Sequence, residues 1–338
     1  MEIFKRRRSW TNLKIYVTMS LEEKNMVEDN EIKATVSPFA VRPGELKVFD
    51  GKDGYVSMNQ IIHRINIGHI NDLHFAIMEL VNEFEFITSR QLLQMLEWKG
   101  IEVGSQDKLN MKLEQLVKTK ILTRYYFDSE DGKGIYRIYC LEKMGKYLLN
   151  SRNIESNWQP TDNTKPVPMI KKRLAGNQTM IAYLRKVKAF DSYMPKPAFT
   201  AKMAGKTFKA SGGSVTLTKN NKSIQFVFEV IRREEDWEKK LVDKMRLYKD
   251  FYDNYQTGDS GYMQLPQLIL ICEDEKHMAE TFKNIVMNQV EIAKIKLYFT
   301  TDLRQNEETL AKTLVEFKLD EETKKYKMEN IEVKLLGI

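Results

Sequence analysis

The chain has 338 residues, of which 42% are hydrophobic, 30% are charged and 10% are aromatic, a composition that favours two folded domains over global disorder. Its 54 basic and 47 acidic side chains give a formal charge of +7, which favours polyanionic partners. No apolar run is long enough to span a bilayer, so no membrane association is expected, and Cys140 and Cys272 indicate a reduced, cytoplasmic location without a disulfide framework.

The N-terminal part of the chain, residues 1–65, shows no long helical period, and we interpret it as a partly ordered extension. Its basic arm at residues 5–8 either contacts phosphate groups or is a solvated tail. No apolar signal core follows this arm, so export is not expected. Two Asp-Gly turns predict a single hairpin near residues 46–56.

Three helices are predicted at the start of the next segment, residues 66–150. Apolar side chains recur at helical spacing from Leu73 to Phe84. Thr88 or its neighbour can cap a second helix, and Ser105 can cap a third helix that carries leucines along one face. The second and third helices are joined by a connection longer than the minimal helix-turn-helix bend.

Two strands follow these helices, over residues 121–127 and 135–141, and a short helix ends near residue 150. This order predicts a winged helix-turn-helix, whose third helix enters the major groove while the hairpin contacts the DNA backbone. The candidate DNA-binding residues are Gln106, Lys108, Asn110, Lys112, Gln115, Lys118, Arg124, Lys133 and Arg137. Alternatively, the fold is a protein-interaction module with a solvated charged helix face.

A basic, proline-containing linker is predicted over residues 151–176. This segment is rich in Ser, Asn and Thr and contains Pro160, Pro166 and Pro168 before a Lys-Lys-Arg triplet at residues 171–173. Prolines stiffen and extend a chain, which suits a spacer between domains. The triplet either continues the positive surface or begins a charged helix.

Strand and helix patterns alternate over residues 177–338, which predicts a mixed sheet covered by helices. The most hydrophobic strand spans residues 224–231, and a long amphipathic helix follows it over residues 235–255. Nearer the C-terminus we predict a helix over residues 307–317 and a final strand near residues 331–336.

Glu229 is the single carboxylate of the hydrophobic strand, at a position where nuclease-like folds place a metal ligand. Such a site needs a second carboxylate and a lysine, and residues two apart on a strand share one face. The residue two positions after Glu229 is Ile231, and the preceding strand offers hydroxyl groups without a carboxylate. We therefore expect no metal and no cofactor, with Mg²⁺ required only if the site is an active nuclease.

A carboxylate in an apolar strand is costly to bury unless it is paired. Lys244 on the following helix is the expected partner and Arg232 is the alternative, so these residues are predicted to form a structural ion pair with Glu229. The competing hypothesis makes Glu229 the catalytic centre of a metal-dependent nickase or nuclease, with Glu234 or Asp236 as further acidic groups.

The same strand and helix resemble the signature of the replication-relaxation family. The matching positions are Glu229, Val230, Arg232, Lys244 and Tyr248. Proteins of that family occur on plasmids and integrative elements of Gram-positive bacteria and are linked to plasmid replication and DNA relaxation. The resemblance implies a restriction-endonuclease-like C-terminal domain. Family members usually carry Asp where this chain has Ile231, which implies that the domain is catalytically degenerate here.

These patterns together predict a cytoplasmic DNA-binding accessory protein of a plasmid or of a conjugative or integrative element. Its expected partners are duplex DNA, replication or conjugation proteins and a second copy of the chain. Two alternatives stay open: a Mg²⁺-dependent nickase or nuclease centred on Glu229, and a protein-interaction adaptor without DNA affinity of its own.

Overall fold

The computed structural model describes most of the chain from residue 36 onward. The described residues are 36–128, 136–290, 292–307, 309–320, 322 and 325–336. The basic arm at residues 5–8 and the candidate DNA-binding Lys133 lie outside them. Within the described ranges the chain has a mixed α and β structure, and no helix there is long and apolar enough to cross a membrane.

The N-terminal half contains five helices and four strands among the described residues. They are β1 Leu46–Phe49, α1 Met58–Asn66, α2 Asp72–Phe84, β2 Ile87–Thr88, α3 Ser89–Trp98, α4 Gln106–Lys118, β3 Leu122–Asp128, β4 Ile138–Leu141 and α5 Lys143–Ser151. The strands form an antiparallel sheet in the order β1-β3-β4-β2. Side chains of Thr88 and Ser105 cap α3 and α4, at the boundaries that the sequence predicts.

The hairpin expected near residues 46–56 does not form. β1 pairs instead with β3, with Leu46 opposite Asp128, and the ring of Phe49 lies 5.8 Å from that of Tyr125. A partner about 80 residues away gives no local sequence signal, whereas the Asp-Gly turns suggest a nearby one. The Asp-Gly segments connect β1 to α1 instead of leading into the second strand of a hairpin.

The expected linker is largely structured. A 3₁₀ turn spans Pro160–Thr164 and α6 spans Val167–Lys186, so the second half of residues 151–176 is helical. Proline is tolerated in the first turn of a helix because the amide hydrogen missing there has no helical partner. Ile170 and Leu174 are fully buried, and this burial outweighs the polar, proline-rich composition that favoured a linker.

The C-terminal half has three helices and nine strands in the described ranges. They are α6, β5 Phe190–Met194, β6 Ala198–Ala201, β7 Lys206–Lys209, β8 Ser214–Lys219, β9 Lys222–Val230, α7 Trp237–Asp253, β10 Gln267–Cys272, α8 Glu275–Met287, β11 Leu297–Thr301, β12 Leu314–Asp320 and β13 Lys325–Ile331. β6 and β7 form a separate two-stranded sheet. The other seven strands form one sheet in the order β13-β12-β11-β10-β9-β8-β5.

The large sheet is mixed, which confirms the prediction from the alternating pattern. Strands β9, β10 and β11 are parallel, and the strands flanking them are antiparallel. Helix α6 covers one face, where Tyr183 lies 5.0 Å from Phe228 between ring centres. Helices α7 and α8 cover the other face, where Met245 and Met278 are fully buried.

The prediction of a helix over residues 307–317 is wrong, as is the prediction of a strand near residues 331–336. Strand β12 pairs with β13 from Leu314 opposite Ile331 to Asp320 opposite Lys325, and a 3₁₀ turn follows at Lys334–Leu336. Leu310 and Leu314 have helical spacing and are both buried, which imitates a helix. The long antiparallel ladder to β13 overrides that local pattern.

Candidate nucleic-acid interface

Helix α4 is held in place by its apolar face. Leu109, Leu113 and Leu116 are fully buried, and the Ser105 hydroxyl accepts a hydrogen bond from the amide of Lys108. Packing on one side leaves the opposite side of α4 to solvent, where Lys108 and Lys118 are exposed. The helix therefore presents a rigid polar surface to solvent.

Two lysines of this helix have no ion-pair partner in the described part of the chain. No carboxylate in the described part of the chain lies within ion-pair distance of Lys108 or Lys112. The side chain of Lys108 folds against Gly104, close to the start of the helix. Lys118 is 3.6 Å from Glu114, one turn earlier; Lys118 is exposed, so water screens that pair, and the half-buried Glu114 is also bound by Arg124.

The amide residues of the α4 surface are partly engaged. Gln106 donates a hydrogen bond to Asn110 at 3.1 Å. Gln115 Oε1 lies 2.8 Å from Nε2 of His74, a buried residue of α2. Burial lowers the pKa of His74, and the positive charge of Lys112 lowers it further. Gln115 thus fixes α4 to α2, while Gln106 and Asn110 remain at the surface.

The sequence predicted Arg124 at the DNA-binding surface, but its side chain does not face solvent. It lies on β3, and its guanidinium contacts Glu114 at 2.6 Å and Asp50 at 2.8 Å. These contacts join β3 to α4 and to the segment after β1, so Arg124 holds these elements together. Arg137 shares Asp50 at 3.3 Å but remains exposed.

Glu229 lies on the α7 face of the large sheet and is almost completely buried. Its carboxylate accepts hydrogen bonds from the hydroxyl groups of Ser211, at 2.8 Å, and Tyr248, at 2.7 Å. Tyr248 is fully buried, and burial followed by the charge of Glu229 raises the pKa of its phenol well above the usual value. The sequence identified both residues but did not indicate the bond between them.

Lys244 is the cation nearest to Glu229. Its ammonium group is 3.8 Å from the carboxylate and donates a hydrogen bond to the carbonyl of Lys209. The same ammonium lies 5.1 Å from the ring centre of Phe208, so it is held between a carboxylate and an aromatic face. This arrangement ties α7 to the strand that carries Glu229.

Arg232 does not pair with Glu229, contrary to the alternative drawn from the sequence. It is fully buried and binds Asp302 through two contacts of 2.8 Å. Alternate residues of a strand point to opposite faces, so a residue three positions after Glu229 points away from it. Arg232 also lies beyond the end of β9, where it meets the chain that follows β11.

The residues around Glu229 do not fit a magnesium site. The β8–β9 ladder places Ser214 opposite Val227, and its continuation brings Gly212 rather than an acid opposite Glu229. Glu234 contacts Lys172 and Lys240. In the described ranges no cluster of three or more His, Cys, Asp or Glu side chains could hold a metal ion.

A polar cluster that the sequence did not predict lies at the carboxyl ends of the parallel strands. Asp302 follows β11 and contacts Ser37, while Glu273 follows β10 and accepts hydrogen bonds from the amides of Val41 and Arg233, each at 3.1 Å. Polar residues directly after buried strands were the available signal, since such ends meet at one edge of a sheet. Here a segment of the same chain covers that edge.

Comparisons with known proteins give little similarity. No protein-family model matches the sequence, and no curated protein matches it. A structure of the restriction endonuclease FokI is similar with a TM-score of 0.25 and 8% identity, over 69% of this chain and 42% of that one. FokI bound to DNA gives a TM-score of 0.22 and 8% identity, over 74% and 49% of the two chains. The chain therefore covers less than half of either FokI chain.

Proposed function

We propose that this chain binds duplex DNA through a winged helix-turn-helix formed by α2, α3, α4 and the β3–β4 hairpin, with α4 as the recognition helix. It would serve as an accessory protein in the replication, relaxation or transfer of a plasmid or of a conjugative or integrative element. The C-terminal half would be a nuclease-like scaffold that supports assembly or contacts DNA, and Ile231, at the position where the replication-relaxation proteins usually carry Asp, would make it catalytically degenerate.

The observation that carries this proposal is the exposed side of α4. On this rigid helix Lys108 is exposed and Lys112 is half-buried, and neither has a carboxylate partner in the described ranges. Lysine ammonium groups contact phosphates and release the counterions of DNA, which gives salt-dependent affinity. An unneutralised, pre-ordered pair of cations suits that role better than lysines held in ion pairs.

The contacts within this half of the chain divide the candidate residues by role. Lys108, Lys112 and Lys118 would contact phosphates, and the amides of Gln106 and Asn110 would reach base edges. The remaining candidates in the described ranges, Gln115, Arg124 and Arg137, engage other residues of the chain and would position α4 and the hairpin.

The Glu229 cluster supports a scaffold role for the C-terminal half. Both hydroxyl partners of its carboxylate are internal, and Lys244 supplies the nearest positive charge. A buried carboxylate with these partners holds α7 on the sheet. Among the described residues, no group of three or more His, Cys, Asp or Glu side chains around Glu229 could hold the metal ion that the nickase hypothesis requires.

The proposal is tested by replacing Lys108, Lys112 and Lys118 together with alanine and measuring binding of a labelled random-sequence duplex over a salt series. Each lost phosphate contact reduces the slope of log affinity against log salt by about 0.9, so the triple variant is expected to lose about 2 to 3 units of slope. Alanine at Lys206, Lys209 and Lys239, three exposed lysines of the C-terminal half, removes the same charge and is the matched control. Equal slopes for the two variants would contradict the α4 assignment.

A further inference from the structure

Three lysines gather at one end of the large sheet. Lys219 and Lys222 are direct partners across the β8–β9 ladder, joined by the turn Asn220–Asn221. The amide of Thr218 donates a 2.7 Å hydrogen bond to the carbonyl of Ala189, and this bond brings Lys188, the neighbour of Ala189, beside Lys219. All three lysines are exposed, and in the described ranges none has a carboxylate within ion-pair distance.

The turn that holds two of these lysines has a fixed geometry. Asn220 and Asn221 have φ values of 51° and 59°, the left-handed conformation that a two-residue hairpin turn of type I′ requires at both positions. Asparagine accepts this conformation more readily than most residues. The register is therefore set, and Lys219 and Lys222 cannot move apart by slipping along the ladder.

Like charges placed directly opposite each other across two strands are destabilising. The nearby acid on β5 is Asp191, which is exposed at a break in the β5–β8 register. One carboxylate among three lysines leaves the end of the sheet positively charged. A polyanion bound there would relieve the repulsion that the chain itself leaves in place.

This end of the sheet is connected to the start of α4. Glu97 of α3 pairs with Arg185 near the end of α6 at 3.5 Å, and the ring of Trp98 lies 5.8 Å from that of Phe190 in β5. Glu97 and residues 100–105 line an open groove of about 440 Å³. That groove reaches Ser105, the N-cap of α4, and Gly104, against which Lys108 folds.

The connected surface carries more positive than negative charge. Its exposed cations are Lys99, Lys108, Arg185, Lys188, Lys219 and Lys222, and its exposed carboxylates are Glu97, Glu102, Asp107 and Asp191, which leaves a net charge of +2. Glu97 is already neutralised by Arg185. The free lysines therefore lie at the two ends of the surface, one at α4 and three at the sheet.

From this placement we infer that Lys188, Lys219 and Lys222 form a second contact surface for the phosphate backbone of the duplex bound by α4. The inference rests on the proposed DNA-binding function and adds a part of the C-terminal half to the interface. Contacts with the lysines at both ends of this surface would let the duplex extend across the groove and past the end of the large sheet. Lysines at a turn contact phosphates rather than bases, so this surface adds affinity without sequence preference.

The test uses the full chain and a labelled duplex of random sequence. Lys188, Lys219 and Lys222 are replaced together by glutamine, and a second triple variant carries glutamine at Lys206, Lys209 and Lys239 as the charge-matched control. We expect the first variant to lose about 2 to 3 units of salt slope, with affinity at least tenfold lower at low salt, and the control to lose less than about one unit. Thermal unfolding of the first variant should be unchanged or raised, because a repulsion has been removed.

The outcomes separate this inference from the proposed function. If the α4 triple variant loses binding while the variant at Lys188, Lys219 and Lys222 matches its control, the second surface is wrong and the α4 interface stands. If the wild-type chain does not bind duplex DNA, both are wrong. A loss that is equal in the two glutamine variants would also overturn the inference, because it would reflect overall charge alone.

Discussion

At the scale of single residues, the bond between Tyr248 and Glu229 gives a direct measure of the charge buried under α7. Tyr248 donates to a carboxylate, whereas Tyr252, also fully buried on the same helix, donates to the carbonyl of Pro266 at 2.9 Å. Hydrogen bonds to charged groups contribute about 1.5–3 kcal/mol and neutral ones about 0.5–1.5 kcal/mol. Tyr248→Phe should therefore reduce the free energy of unfolding more than Tyr252→Phe does, as measured by urea denaturation. Equal losses would mean that the hydrogen bond to Glu229 contributes no more than the bond to the neutral carbonyl of Pro266.

His277 provides a residue-scale prediction about pH. Burial, followed by the charges of Arg233 and Arg232, lowers the pKa of this histidine to about 3, so it stays neutral in the folded chain at pH 5. Its unfolded pKa is about 6.5, so the unfolded chain binds the extra proton between these values and stability falls as pH drops from about 6.5 towards 3.

The measurement compares unfolding free energies between pH 7 and pH 4. His277→Asn keeps an oxygen where Nδ1 accepts the amide of Glu273 and should flatten the pH dependence in that window. His69→Asn, at an exposed position, is the control and should leave the dependence unchanged. A variant at His277 with the wild-type pH profile would contradict the lowered pKa.

At the scale of elements, α6 and the segment before β8 approach closely. A β-carbon at Gly176 would lie 2.3 Å from the α-carbon of Gly212, and that backbone leads from Ser211, the partner of Glu229. Replacing glycine by alanine within a helix usually stabilises it by up to about 1 kcal/mol. Here Gly176→Ala should instead lower stability by about 1–3 kcal/mol, because backbone atoms must shift. A rise in melting temperature would contradict this packing.

The sequence predicted elements where local patterns and burial agree. The caps and leucines of α3 and α4, and the apolar face of α7, are periodic, and these helices lie within two or three residues of their predicted ends. Strand β12 was missed because Leu310 and Leu314 have helical spacing, although its partner β13 follows directly in the chain. The first half of α6 was missed because its buried face packs into the core between the two sheets, which is formed by residues distant in sequence.

The candidate-site residues also divide into those that a local pattern predicts and those whose partners are distant in sequence. Lys108 and Lys112 were identified from their position opposite the leucines of α4, which is a local pattern. The ion pair of Arg232 with Asp302 joins residues 70 positions apart, and the contact of Asp302 with Ser37 spans 265. No periodicity within a window of 20 residues can predict such partners, so the sequence offered Arg232 only as an alternative partner of Glu229.

At the scale of the whole molecule, the segment 37–45 and α6 join the two halves. Phe39 lies 5.9 Å from Tyr136, which donates a hydrogen bond to Pro38, and Lys171 of α6 contacts both Ala40 and Glu45. One buried apolar cluster extends from the small sheet through α6 to the large sheet. We expect a single cooperative thermal transition in calorimetry, with calorimetric and van't Hoff enthalpies equal. Two separate transitions would show that the halves fold independently.

Binding of duplex DNA by this chain is tested most simply by fluorescence polarisation, with a random-sequence duplex and the wild-type chain across a salt series, with and without Mg²⁺. The duplex is recovered afterwards and examined for cleavage. If the three lysines of α4 and the three lysines at the end of the sheet all contact phosphates, log affinity should fall against log salt with a slope of about −5. We expect that slope in the buffer without Mg²⁺ and intact DNA in both buffers. Affinity that does not depend on salt, or cleavage that requires Mg²⁺, would contradict this expectation.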